Sequence, residues 1–141
     1  MIGPGKTEFS DPFTKPKVGY FDHERWDVYK AALEFVVLIS NVVEQLPRGK
    51  AYLADQLQRA GTSVPLNIAE GAGEHSASEK ARFYRMAKRS ATECASILDV
   101  CKLLLLVNDT QYSQGRELLL RIAAMLTKMA RADNASNAGS N

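Results

Sequence analysis

Between Lys80 and Arg89, five of ten side chains are cationic and none is acidic. Arg82, Arg85 and Arg89 recur at i, i+3 and i+7, the spacing of one helix face, and Lys80 and Lys88 flank the row. Such a row suits phosphates spaced along a nucleic-acid backbone, and Tyr84 lies within the same segment. A solvated helix face with no ligand carries the same pattern, so the row is a candidate and no more. A second constellation is polar. Gln56, Arg59, Ser63, Asn67 and Glu70 form a ladder beside an apolar stripe of Leu53, Leu57, Ala60, Val64 and Ile68. Asn and Glu beside a core must find partners, because an unsatisfied buried polar group costs about 1–3 kcal/mol. The ladder therefore predicts an inter-helix network with Ser90 and Glu93 as partners, in preference to a ligand or catalytic site.

Other chemistry is missing its partners. Cys94 and Cys101 are seven residues apart, about 10 Å along a helix axis, whereas a disulfide needs Cα atoms within about 7 Å. Both read as core residues. His23 and His75 are the only histidines, and neither has a ligand partner at helical or finger spacing, so no metal is expected. Gly71-Ala72-Gly73 lacks the following Lys-Ser/Thr and the preceding strand of a phosphate-binding loop. No nucleophilic triad is visible. The expectation is a protein that is not an enzyme and needs no cofactor.

The elements that would position these side chains follow from the breaks. With 141 residues, 45% apolar and 24% charged, the chain has the composition of one globular domain. A net charge of +2 neither demands nor excludes nucleic acid. No run approaches the roughly 20 apolar residues of a spanning helix, and no basic segment with an apolar h-region opens the chain, so a cytoplasmic protein without membrane contact is expected. Residues 1–20 hold Pro4, Pro12 and Pro16 with Gly3, Gly5 and Gly19, the composition of a flexible arm. Residues 132–141 are small and polar and read as a disordered tail.

Between the tails, Pro47-Arg48-Gly49, Gly71-Ala72-Gly73 and Asn108-Asp109 divide residues 21–131 into four segments of helical length, and no run alternates as a strand would. Helices are expected at about 23–46, 50–71, 77–107 and 110–131. Short connections make sequential neighbours antiparallel, so the fold class is all-α, an up-down-up-down four-helix bundle. Asp22 is expected to cap the first helix, with Phe21 stapled to Trp26. Ser76 and Glu79 form a capping box for the third, and Asp109 or Thr110 starts the fourth. Gly71 is placed to end the second in a left-handed conformation, and Pro65 to bend it.

The first helix is apolar on two opposite flanks. One stripe is Trp26, Tyr29, Leu33, Val36 and Val37; the other is Val28, Phe35, Ile39, Val42 and Leu46. A helix in a monomeric bundle needs one buried stripe, so the second predicts contact with a neighbouring subunit, and Val28, Phe35, Ile39, Val42 and Leu46 are the candidate interface. The competing reading is a broad core face covered in part by the N-terminal arm.

The stretch from Gln56 to Gly71 carries a recognisable pattern: Gln56, Arg59, Ala60, Ser63, Asn67, Ile68, Ala69, Glu70 and Gly71, followed by Arg82, Phe83, Ala87, Ser90 and Glu93. It resembles the four-helix-bundle family named for proteins encoded in intervening sequences of bacterial 23S rRNA genes. The likeness extends through about residues 21–131, with Val64 in place of the usual Ile, Glu74-His75 after the glycines, and Arg89 before the serine. The resemblance implies a left-handed bundle that assembles into a cyclic pentamer. It also implies kinship with accessory proteins of diversity-generating retroelements, which form barrel-like pentamers and bind nucleic acid and a reverse transcriptase. It supplies no catalytic residues. The expectation is a homopentamer that binds RNA or another nucleic acid through Lys80, Arg82, Arg85, Lys88 and Arg89; the alternative is a scaffold that presents its surface to a protein partner.

Overall fold

The starts of the last two helices in this chain are set by side chains that replace missing backbone partners. In the computed structural model, which describes residues 19–139, the helices are α1 (Asp27–Gln45), α2 (Ala51–Ala72), α3 (Ala77–Leu103) and α4 (Asp109–Ala138). Nearly all of the expected N-terminal arm lies outside the described residues. Ser76 caps α3, its Oγ accepting the Glu79 amide at 3.1 Å. The reciprocal half of that box is not made, because the Glu79 carboxylate turns to Arg82 at 3.0 and 3.1 Å. A complete box starts α4 one residue before the expected site: the Gln111 amide donates to Asn108 Oδ1 at 2.7 Å, and the Asn108 amide to Gln111 Oε1 at 3.2 Å. The side-chain amides of Gln111 and Gln45 also bond to each other, which ties the end of α1 to the start of α4.

Five local expectations are corrected. The first helix begins at Asp27, since Asp22–Arg25 form a 3-10 turn and Trp26 is extended between turn and helix. Phe21 stacks on His23, ring centroids 5.9 Å apart, in place of the expected staple to Trp26. Gly71 does not end α2 in a left-handed conformation. It lies within the helix, and a β-carbon there would sit 2.6 Å from Tyr84 Cε1, so its role is close approach to α3. The end of α3 comes at Leu103, where the Leu106 amide donates to Cys101 O at 2.8 Å and the Leu105 amide to Lys102 O at 3.1 Å. This is a Schellman turn with Leu105, φ 59°, in the left-handed position that glycine normally fills. An ion pair between Lys102 and Asp109 bridges it. Finally, residues 132–138 continue α4 and form no tail; alanines at 130, 132, 135 and 138 favour helix there. Pro65, by contrast, is accommodated inside α2 without interrupting it.

Each helix packs on its chain neighbours, and α4 closes back on α1, giving the all-α four-helix bundle expected; there is no strand among the described residues. The core decides between the two stripes of α1. Val28, Phe35, Ile39 and Val42 are buried within the chain's own bundle, and Leu46 packs on it half-buried. They are not an exposed subunit interface. The facing helices come close to this stripe at Gly61 of α2 and Gly115 of α4, where β-carbons would make ordinary contacts of 3.7 and 3.8 Å with opposite edges of the Phe35 ring. At Gly61 the Ile39 side chain fills the space a β-carbon would need. Only a large side chain fills such a slot, and interiors tolerate few voids.

The polar ladder crosses the α2–α3 seam as expected. Ser90 Oγ lies 2.9 Å from Ser63 Oγ, and Asn67 Nδ2 donates to Ser63 Oγ at 2.8 Å and Ser63 O at 2.9 Å. Arg59 pairs with Glu93 at 2.6 Å. Gln56 and Glu70 are exposed and make no side-chain hydrogen bond among the described residues, so they do not belong to the network.

Two stability experiments follow. Leu105→Gly removes the left-handed β-carbon clash at a position 89% exposed, so little packing is lost; the urea midpoint should rise, by about 1 kcal/mol in stability. Along the seam, Ser63→Ala strips partners from both Ser90 and Asn67 and should cost about 1–2 kcal/mol. Arg59→Ala should cost under about 1 kcal/mol, because its ion pair is solvated, with side chains 64% and 41% exposed. Equal losses in the two variants would refute this ranking.

Candidate nucleic-acid interface

The five cations between residues 80 and 89 do not form one surface, because local chemistry occupies two of them. Lys80 extends its ammonium back to the end of α2, donating to Gly71 O at 3.4 Å and Ala72 O at 3.0 Å. It supplies a donor to carbonyls at the helix end, Gly71 O also accepting the Glu74 amide at 3.2 Å, and lies at the negative end of the helix dipole. Arg82 is paired with Glu79 at 3.0 Å, and its guanidinium lies 4.5 Å over the Phe83 ring. The acidic residue that begins the first turn of α3 thus neutralises the first arginine of the row. The side chains of Arg85, Lys88 and Arg89 form no hydrogen bond or ion pair among the described residues.

Two of those three line a groove with residues that the linear pattern did not single out. A groove of about 230 Å³ runs between α3 and α4, with Arg85 and Lys88 on one wall and Thr127, Arg131 and Asn134 on the other. No acidic residue lines it. Arg131 brings a third cation to the groove, and Lys128 lies exposed one turn earlier on α4. Lys128 and Arg131 are i, i+3 in the sequence, but the meeting of Arg131 with Arg85 and Lys88 requires the antiparallel pairing of α3 with the far half of α4. Only the folded bundle gives that register.

Tyr84, interleaved with the cations in sequence, is not available to stack on a base. It is buried, its ring fills the space beside Gly71, and its phenol is pushed up to about 12, first by burial and then by the nearby Asp133 carboxylate. The cysteines are free and buried, as expected of core residues. Burial, with Glu93 adding to it against the opposing pull of Arg59, pushes the Cys94 thiol up to about 12; burial also raises Cys101. Both stay protonated near neutral pH and are poor nucleophiles. Among the described residues no group of three or more His, Cys, Asp or Glu side chains could hold a metal ion, and no helix is long and apolar enough to cross a membrane.

The seam and the groove lie on opposite sides of α3, one toward α2 and the other toward α4. Comparison with known proteins bears on this arrangement. No curated protein matches the chain. A crystal structure of a protein of unknown function from the S23 ribosomal protein family of Bacteroides thetaiotaomicron superposes with a TM-score of 0.68 at 24% identity, covering 73% of this chain and 97% of that one, which shows a shared fold. The family model described as 23S rRNA-intervening sequence protein matches residues 24–128, a span that takes in the whole α2–α3 seam. With its helical hairpins, its cross-helix ladder and this match over most of its length, the chain belongs to the 23S rRNA-intervening sequence protein family.

Proposed function

We propose that the protein is a non-catalytic homo-oligomer that binds RNA phosphates through the basic groove between α3 and α4. The observation that carries this reading is the set of unpaired cations Arg85, Lys88 and Arg89 on α3, with Arg131 facing two of them across a groove that no carboxylate lines. Cations without internal partners are free to replace the counterions of a polyanion. Phosphate contacts give affinity without base identity, so binding is weakly sequence-selective. Assembly into a ring, the pentamer that the sequence resemblance implies, repeats the groove around one particle and raises avidity. On α1, Leu33, Val36 and Val37 remain half-buried without joining the core, and they are the apolar surface proposed for subunit contact.

The groove is tested by titrating a labelled RNA across a salt series. Affinity should fall steeply, with a log–log slope of about −3 to −4 for four phosphate contacts on one protomer. Arg85→Glu combined with Arg131→Glu should weaken binding more than tenfold, whereas Arg82→Ala, whose guanidinium is already paired, should change it less than about twofold. A flat salt response, or equal losses in the two variants, rejects the groove. A protein partner retained by the charge-reversed variant would support a scaffold in its place. For assembly, light scattering should give the mass of about five chains, and Val36→Glu should lower it toward a single chain with helicity retained. A wild-type protein that is already monomeric rejects the ring.

A further inference from the structure

At the other end of the chain, the 3-10 turn before α1 and the last turn of α2 enclose an open cavity of about 670 Å³. Phe21, His23 and Trp26 line one side of it. The rings form a connected aromatic wall: His23 lies 5.9 Å from Phe21 at an interplanar angle of 22°, and 6.4 Å from Trp26 edge to face. Phe21 is 71% exposed, an aromatic ring that the core does not use. Asp22 and Glu24 line the same cavity from the same turn. Opposite them are Ala69, Ala72 and Gly73, the carbonyl end of α2, where the helix dipole is negative.

The rings and carboxylates of this lining favour a positive ligand, the rings through their quadrupole and the carboxylates by charge, while the α2 carbonyl end is already capped by Lys80. The one cation in the lining, Lys80, already donates to the carbonyls of Gly71 and Ala72. A phosphate would therefore meet two carboxylates and no free ammonium. The neighbouring residues already show the matching contact within the chain, since the Arg25 guanidinium lies 4.2 Å over the Tyr20 ring. The cavity is larger than one guanidinium and open, so it has room for the backbone that carries the side chain. We propose that this pocket receives an arginine side chain presented by a segment of a protein partner, at a site separate from the α3–α4 groove.

Trp26 is the chain's only tryptophan, so its fluorescence reports on the pocket directly. The full-length protein is titrated with the peptide acetyl-Gly-Gly-Arg-Gly-Gly-amide, with the citrulline peptide of the same shape, with free arginine, and with uridine monophosphate. The arginine peptide should shift Trp26 emission saturably, and the neutral citrulline peptide should bind about tenfold more weakly. Phe21→Ala and Asp22→Asn alter exposed side chains and should keep full helicity by circular dichroism, yet each should weaken the arginine peptide about threefold or more. Arg85→Glu should leave this titration unchanged. Equal binding of the arginine and citrulline peptides, no effect of the Phe21 and Asp22 substitutions, or a Trp26 response to the nucleotide alone would overturn the proposal. Free arginine binding as tightly as the peptide would overturn the assignment to a protein segment.

Discussion

Gly61 on α2 and Gly115 on α4 let neighbouring helices come close: Ile39 of α1 fills the space beside Gly61, and Leu98 of α3 with Leu38 of α1 the space beside Gly115. The remaining architecture is arranged around this close approach. A β-carbon at Gly61 would overlap Ile39 Cδ1 and one at Gly115 would lie 2.8 Å from Leu98 Cδ1, so these side chains would have to repack, while the Gln45–Gln111 amide pair fastens the far end of α1 to α4. The same device recurs at Gly71, where the missing β-carbon admits Tyr84 and brings α3 against α2. That approach sets the distance at which Ser63 meets Ser90 and Arg59 meets Glu93. Small residues thus fix the helix spacings, and the polar seam fixes the register.

How much of this was legible in the sequence depends on the range of the interaction responsible. The four helices, the Ser76 cap and the Ser63–Asn67–Ser90 ladder with its Arg59–Glu93 pair follow from spacing along the chain, and the structure has them. The identity of the buried stripe on α1 was not legible, because both stripes are comparably apolar and the choice is made by glycines on helices distant in sequence. Gly71 reads as a helix stop to a local rule, but its tertiary role as a contact surface prevails. Leu105 in a left-handed conformation has no local signal at all; the short crossing from Leu103 to Asn108 imposes it. The basic row could be counted but not apportioned, since Glu79 claims Arg82 and the α2 terminus claims Lys80.

A net charge of only +2 conceals a sorted surface. One groove, between α3 and α4, is lined by cations without carboxylates; one cavity, beside the 3-10 turn, by aromatic rings and carboxylates with its lysine already engaged. Overall charge therefore says little about what this bundle attracts. The two linings fall on different helix junctions and share no residue.

The wiring of the bundle also governs how the chain reaches its native state. Among the described residues every helix rests on its immediate successor, and distant segments meet where α4 returns to α1 and where the 3-10 turn touches α2. Local contacts forfeit little loop-closure entropy, which places such topologies among the rapid folders, on the order of milliseconds or less. Hairpins of α2 with α3 and of α3 with α4 can form before α1 docks, and docking is the step that conceals Phe35 and Ile39. Once α1 is docked, Phe35, Ile39 and the other core side chains of the chain lie inside its own fold and away from solvent.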